Sequence, residues 1–167
     1  MEKSYVVSGY ICAGKTYIVE KYDDVTEVAS TYYNYLLTDE QKKMPLEALK
    51  STKREIDPNW PHNYIDAVVE ATKNHRVVLV APGIIISDLL RERGVDCILA
   101  FPDPSCKEEY KRRAKQRGNN DAFLQRIEDN FNNDVAERMA QPNRKIVLKC
   151  DEYLEDGLVR EGIIERK

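Results

Sequence analysis

No run of 18 apolar residues occurs in this 167-residue chain, so no segment is predicted to cross a bilayer as a helix and no membrane partner is expected. A basic excess is missing as well. Against 29 Asp and Glu stand 26 Lys and Arg, a net charge of −3. That balance disfavours a polynucleotide as the main partner, because nucleic-acid-binding surfaces are built from surplus cations, although a local basic groove stays open. The four cysteines, Cys12, Cys97, Cys106 and Cys150, are scattered without a C-x-x-C pair. This spacing argues against a cysteine metal site and predicts reduced thiols in a cytoplasmic protein. The chain enters its first strand candidate at once, with no signal-peptide pattern. Internal repeats and low-complexity linkers are absent, so residues 1–167 read as one domain, with a 42% apolar content that suffices for a core. Monomer and homodimer both stay open.

What is present begins at Gly9. Residues Gly9-Tyr10-Ile11-Cys12-Ala13-Gly14-Lys15-Thr16 spell G-x-x-x-x-G-K-T, the phosphate-binding P-loop pattern. A short apolar strand candidate, Ser4–Ser8, precedes it, and Thr16–Tyr22 can start a helix. Gly9 and Gly14 permit turns that a Cβ would block. In this pattern the amides around Cys12, Ala13 and Gly14 form an anion nest. Lys15 reaches the β- and γ-phosphates of a nucleotide, and the Thr16 hydroxyl ligates Mg²⁺.

The remaining chain alternates strand and helix signals. Val25–Ser30, Arg76–Ala81, Asp96–Phe101 and Arg144–Cys150 are strand candidates, and the continuously apolar 76–81 stretch reads as a central parallel strand. Between the second and third strands lie an aromatic-rich segment at 31–37, a broken helical stretch at 39–56 with Thr38 or Asp39 as its cap, and a helix at about 61–73. Ile84–Arg93, Ser105–Gln116 and Asp121–Met139 are further helices, the last capped by Asp121. A last helix falls within 151–165. Five strands alternating with helices predict a three-layer α/β/α fold around a parallel sheet, with ligands outside the carboxyl ends of the strands.

On these residues the chain resembles the small nucleoside and nucleotide kinases of the adenylate-kinase-like P-loop class, in particular compact kinase-like proteins of phages and their bacterial hosts. The P-loop carries the resemblance. Supporting it are Ser30-Thr31 with the aromatics after it, the segment Asp57–Tyr64, and the arginine-bearing stretch 107–120. The resemblance implies strand order 2-3-1-4-5, with a short helical lid at about 107–120. It also implies transfer of the γ-phosphoryl group of Mg-ATP to a small-molecule acceptor. Lys15, Arg113 and Arg117 would act on the moving phosphoryl group, since such catalysis is positioning plus cations. Ser30, Thr31, Tyr32, Tyr33 and Trp60 would bind the acceptor, within a region spanning 30–64. The usual carboxylate after the third strand is absent, and Glu27 is the nearest acid on the second. Two alternatives remain: a kinase of a hydroxyl on a modified DNA base or other metabolite, and a non-catalytic nucleotide-binding switch. A guanine-specifying N-K-x-D stretch is missing after the fourth strand, where the chain reads Phe101-Pro102-Asp103-Pro104.

Overall fold

The computed structural model describes residues 3–167. Among the described residues seven strands form: β1 (Tyr5–Gly9), β2 (Val25–Glu27), β3 (Tyr35–Leu36), β4 (Glu55–Ile56), β5 (Val77–Val80), β6 (Cys97–Pro102) and β7 (Lys145–Leu148). Eight α-helices connect them: α1 (Lys15–Lys21), α2 (Asp39–Lys42), α3 (Leu46–Lys50), α4 (His62–Ala71), α5 (Ile84–Glu92), α6 (Lys107–Gln116), α7 (Asp121–Met139) and α8 (Leu154–Arg160). Five strands make one parallel sheet in the order β2-β5-β1-β6-β7. Counting in chain order the two strands that the sequence reading missed between β2 and β5, the expected 2-3-1-4-5 takes the labels β2-β5-β1-β6-β7. The missed strands are β3 and β4, which pair antiparallel as a separate two-stranded sheet. They escaped notice because each is only two residues long, too short for a period-2 pattern.

Strand alternation sorts the core into two layers. Val7, Val77, Leu79, Ile98, Ile146 and Leu148 face α1 and α8, where they meet Ile18, Leu154 and Leu158. Val6, Val78, Val80, Leu99 and Phe101 face the other way, onto Tyr64, Val68, Leu90, Tyr110, Phe131 and Val135 of α4 to α7. α8 lies close on β7 at Gly157, where a Cβ would stand 2.6 Å from Leu148 Cδ2. No described helix is long and apolar enough to cross a membrane.

Several local expectations are corrected. β2 ends at Glu27, short of the expected Ser30, and the aromatic-rich segment after it forms a single 3₁₀ turn (Ser30–Tyr32) and β3. Asn120, not Asp121, caps α7: its side-chain oxygen accepts from Phe123 N at 2.9 Å. Thr38 does cap α2, through a reciprocal pair with Gln41. The thiols are not all free, because Cys106 and Cys150, 44 residues apart, form a disulfide. Sequence spacing misled here, since these two residues follow neighbouring strands β6 and β7 and meet at one edge. Cys12 and Cys97 are free and buried, and burial pushes the Cys97 thiol up to about 12.

Candidate functional site

The Gly9–Thr16 loop leaves the carboxyl end of β1, the central strand, and enters α1. Two residues turn it. Cys12 adopts φ 59° and Gly14 φ 95°, both in the left-handed region. Gly14 caps α1 without a side-chain hydrogen bond, so the first-turn amides have neither an intrahelical nor a capping partner. A hollow of about 410 Å³ opens there, lined by residues 12–16 with Arg113, Gln116, Arg117 and Tyr153.

Lys15 enters this hollow with its side chain about one-fifth exposed, and its Nζ stands 4.0 Å from Glu27 Oε2 at the end of β2. Burial lowers the Lys15 pKa from its ordinary value; Glu27 opposes the shift and the Arg117 guanidinium adds to it. Arg117, exposed at the end of α6, turns Nη1 toward the Cys12 sulfur at 3.6 Å. Two cations therefore converge on one cavity. Thr16 is exposed, and its hydroxyl bonds no described residue.

Arg113 does something else. It is 3% exposed, so it does not reach out from a lid. Its guanidinium lies 4.7 Å from the Tyr110 ring centroid and 4.0 Å from that of Tyr153. It donates to the carbonyls of Cys12 (3.4 Å), Cys150 (3.0 Å) and Glu152 (2.9 Å), and to Glu109 Oε1 (3.1 Å). The expected lid at 107–120 is corrected accordingly. Through Gln116 it is α6, whose Tyr110, Arg113 and Ala114 are buried and whose Lys107 and Lys111 pair with Glu128 of α7. The run of charge hid the packed face of this helix. The apolar minority at Tyr110 and Ala114, four apart, was the signal that it packs.

The segment after β7 completes the hollow. Leu154 N donates to Ala13 O at 2.8 Å, and Tyr153 approaches Gly14 so closely that a Cβ there would lie 3.2 Å from its ring. Sequence reading missed Tyr153 entirely, because nothing local marks a residue that works by a contact 139 positions away in the chain (153 minus 14).

The expected acceptor residues divide. Tyr33 and Trp60 pack against buried Tyr64, with centroids 5.6 and 5.5 Å apart. Tyr64 in turn donates to Val28 O (2.6 Å) and accepts from Ala81 N (2.9 Å), joining the ends of β2 and β5. Tyr32 donates to Met44 O at 3.1 Å. Ser30 and Thr31 are half-buried in the 3₁₀ turn. None of these five lines the Lys15 hollow; Tyr32 and Tyr33 line a shallower one of about 520 Å³ that also takes in Glu27. A further hollow of about 430 Å³ lies at the opposite edge of the sheet, near Tyr5, Cys97 and Asn143, away from the glycine loop.

Among the described residues no group of three or more His, Cys, Asp or Glu side chains could hold a metal. A nucleotide-borne Mg²⁺ needs only one or two protein ligands besides phosphate and water. The free hydroxyl of Thr16 fits that need, and Glu27 is the carboxylate beside Lys15. Compared with known proteins, the chain matches no family model and no curated protein.

Proposed function

We propose that the protein is an ATP-dependent phosphotransferase, moving the γ-phosphoryl group of Mg-ATP to a small nucleoside or nucleotide acceptor. One observation carries this reading: the lysine of the G-x-x-x-x-G-K-T loop and Arg117 converge on a single hollow beside uncapped amides. A triphosphate is the ligand whose charge such a cavity complements.

Each residue then has a role. The amides of residues 13–16 hold the phosphates, and Lys15 exchanges its long contact with Glu27 for a phosphate oxygen. Arg117 meets the charge that spreads over the equatorial oxygens during transfer. Mg²⁺, held by Thr16, would neutralise charge on the β- and γ-oxygens. The acceptor oxygen forms a bond to the γ-phosphorus as the bond to the β–γ bridging oxygen breaks, and ADP leaves. Glu27 takes the acceptor's proton. Arg113 is a positioning residue here: it holds the carbonyl of Cys12 and the loop at 150–152 in register.

The test is acceptor-dependent ADP release across a panel of nucleosides and nucleotides, in the wild type and in Lys15→Ala. The variant keeps its melting temperature and loses at least about 10³-fold in turnover, roughly 4 kcal/mol of barrier. Wild-type turnover in a folded Lys15→Ala protein overturns the reading. ATP binding without turnover on any acceptor replaces it with a nucleotide-binding switch.

A further inference from the structure

The hollow beside the glycine loop has walls from three parts of the chain. Residues 12–16 form the first, Arg113, Gln116 and Arg117 the second, and Tyr153 the third. The second and third are joined covalently. Cys106 ends the 3₁₀ turn Pro104–Cys106 that leads into α6, and Cys150 lies in the loop 149–153 between β7 and α8, so their disulfide crosses from one wall to the other.

The crosslink acts on residues that also brace the loop. Cys106 and Arg113 stand seven residues apart (113 minus 106), roughly two helical turns, and both reach Cys150. One binds its sulfur; the other donates to its carbonyl at 3.0 Å and to that of Glu152 at 2.9 Å. Directly after these residues, the Tyr153 ring packs on Gly14 and the Leu154 amide donates to Ala13 O at 2.8 Å. The two sulfurs are unequally open. Cys106 is 1% exposed, whereas Cys150 is half-buried and its Sγ meets Ser105 Oγ, 3.7 Å away, in an exposed position. An incoming thiolate therefore reaches Cys150 first.

We infer that the Cys106–Cys150 bond is a reversible redox modification site that sets how tightly the hollow holds its ligand. The inference rests on the phosphotransferase reading and gives its site a control. The co-reactant is a dithiol. One of its thiolates attacks Cys150 Sγ, the bond to Cys106 breaks, and the Cys106 thiolate takes up a proton. The second thiol of the reductant then displaces Cys150 from the mixed disulfide, and Cys150 takes up a proton in turn. Two electrons and two protons have passed to the protein, and the reductant has closed its own disulfide. In the dithiol form Arg113 still bonds the 150–152 carbonyls, but no covalent bond holds Tyr153 against α6. The 150–154 segment then samples arrangements that leave residues 13 and 14 unbraced. Apparent affinity falls with the fraction of molecules that remain braced. The disulfide form is the high-affinity form.

Calorimetric titration with ATP tests this in the wild type as oxidised by diamide, after dithiothreitol, and after reoxidation, with the thiols mapped by alkylation and the fold checked by circular dichroism. Reduction weakens ATP binding at least about fivefold, and reoxidation restores it. Cys150→Ser and Cys106→Ser bind ATP as the reduced wild type does and ignore dithiothreitol. Equal affinity in both forms of a protein that binds ATP overturns the inference, as does a dithiothreitol response that persists in Cys150→Ser. A dithiol form that unfolds outright overturns it too, because the bond is then purely structural. So does a protein in which all four thiols stay open to alkylation after diamide. Amide NMR separates this inference from the reading beneath it. If neither form binds ATP, the phosphotransferase falls. The redox site then stands if the amides of residues 13–16 shift or broaden on reduction while those of 62–71 do not, and it falls if the 13–16 amides stay unchanged.

Discussion

The two flanks of the sheet's carboxyl edge are held in different ways. Around the glycine loop, residues from distant parts of the chain meet: Cys12 and Ala13, Arg113, and the segment 150–154. Their polar groups are buried and bonded to one another, and the Cys106–Cys150 disulfide crosses the same place. Between β2 and α4 the chain instead bonds mainly within its own segment. Thr38 pairs with Gln41, Thr52 donates to Leu49 O, and Tyr32 reaches only as far as Met44. Leu36 and Ile56 of its small hairpin stay 49% and 73% exposed. The first flank is stabilised by non-local, desolvated contacts that preset its geometry before any ligand arrives. The second buries little and opens at little free-energy cost.

The sharpest way to break this contrast is to cut the disulfide. Closing a 44-residue loop contributes about 4 kcal/mol in the chain-entropy picture. Cys106→Ser, measured by urea unfolding against wild type, is expected to lose an amount of that order. A loss below about 1 kcal/mol would show that the flank holds together without its crosslink. Arg113→Ala comes next. It strands the carbonyls of Cys12, Cys150 and Glu152 around a buried guanidinium's place, and removing one partner of a buried set costs about 3 kcal/mol. In a domain of this size that lowers the melting temperature by roughly 10 °C. An unchanged melting temperature would show that the Arg113 contacts contribute nothing net to holding this flank.

A pH experiment sharpens the same flank. The Lys15 pKa is lowered in the folded protein, chiefly by burial. In the window between that value and the ordinary lysine value the unfolded chain holds more protons, so stability rises with pH there as the cost of the buried charge is relieved. In the phosphotransferase reading the cation is needed, so kcat/KM falls on the alkaline side before the free-lysine range. The alkaline limb of kcat lies higher, because bound phosphates favour the charged form. Coincident limbs would remove Lys15 from the phosphate site. The smallest effect belongs to the other flank: Tyr32→Phe, which loses one part-buried hydrogen bond to Met44, shifts unfolding by about 1 kcal/mol or less.

That same contrast decides what could be read in the chain. The apolar runs at Val77–Val80 and Cys97–Pro102 are local signals, and each strand stands where its run predicted. Thr38 as a cap is equally local. Arg113 was misread because its environment is made by residues 12, 110, 150 and 152–153, which no window around position 113 contains. Cys106 and Cys150 look unrelated until β6 and β7 are set side by side. Tyr33 and Trp60 carry the composition of a binding surface, yet the buried ring of Tyr64 between their elements draws them onto the core.

The Arg113 clamp also sets an order of events during synthesis. Its carbonyl acceptors at Cys150 and Glu152, and the Leu154 amide that braces Ala13, are translated long after the glycine loop itself. A nascent chain ending before residue 150 carries the complete G-x-x-x-x-G-K-T sequence but lacks the wall that holds it. In the phosphotransferase reading, ATP therefore cannot template the early folding of this domain. The hollow beside the glycine loop is closed late, only in chains whose 150–154 segment has docked.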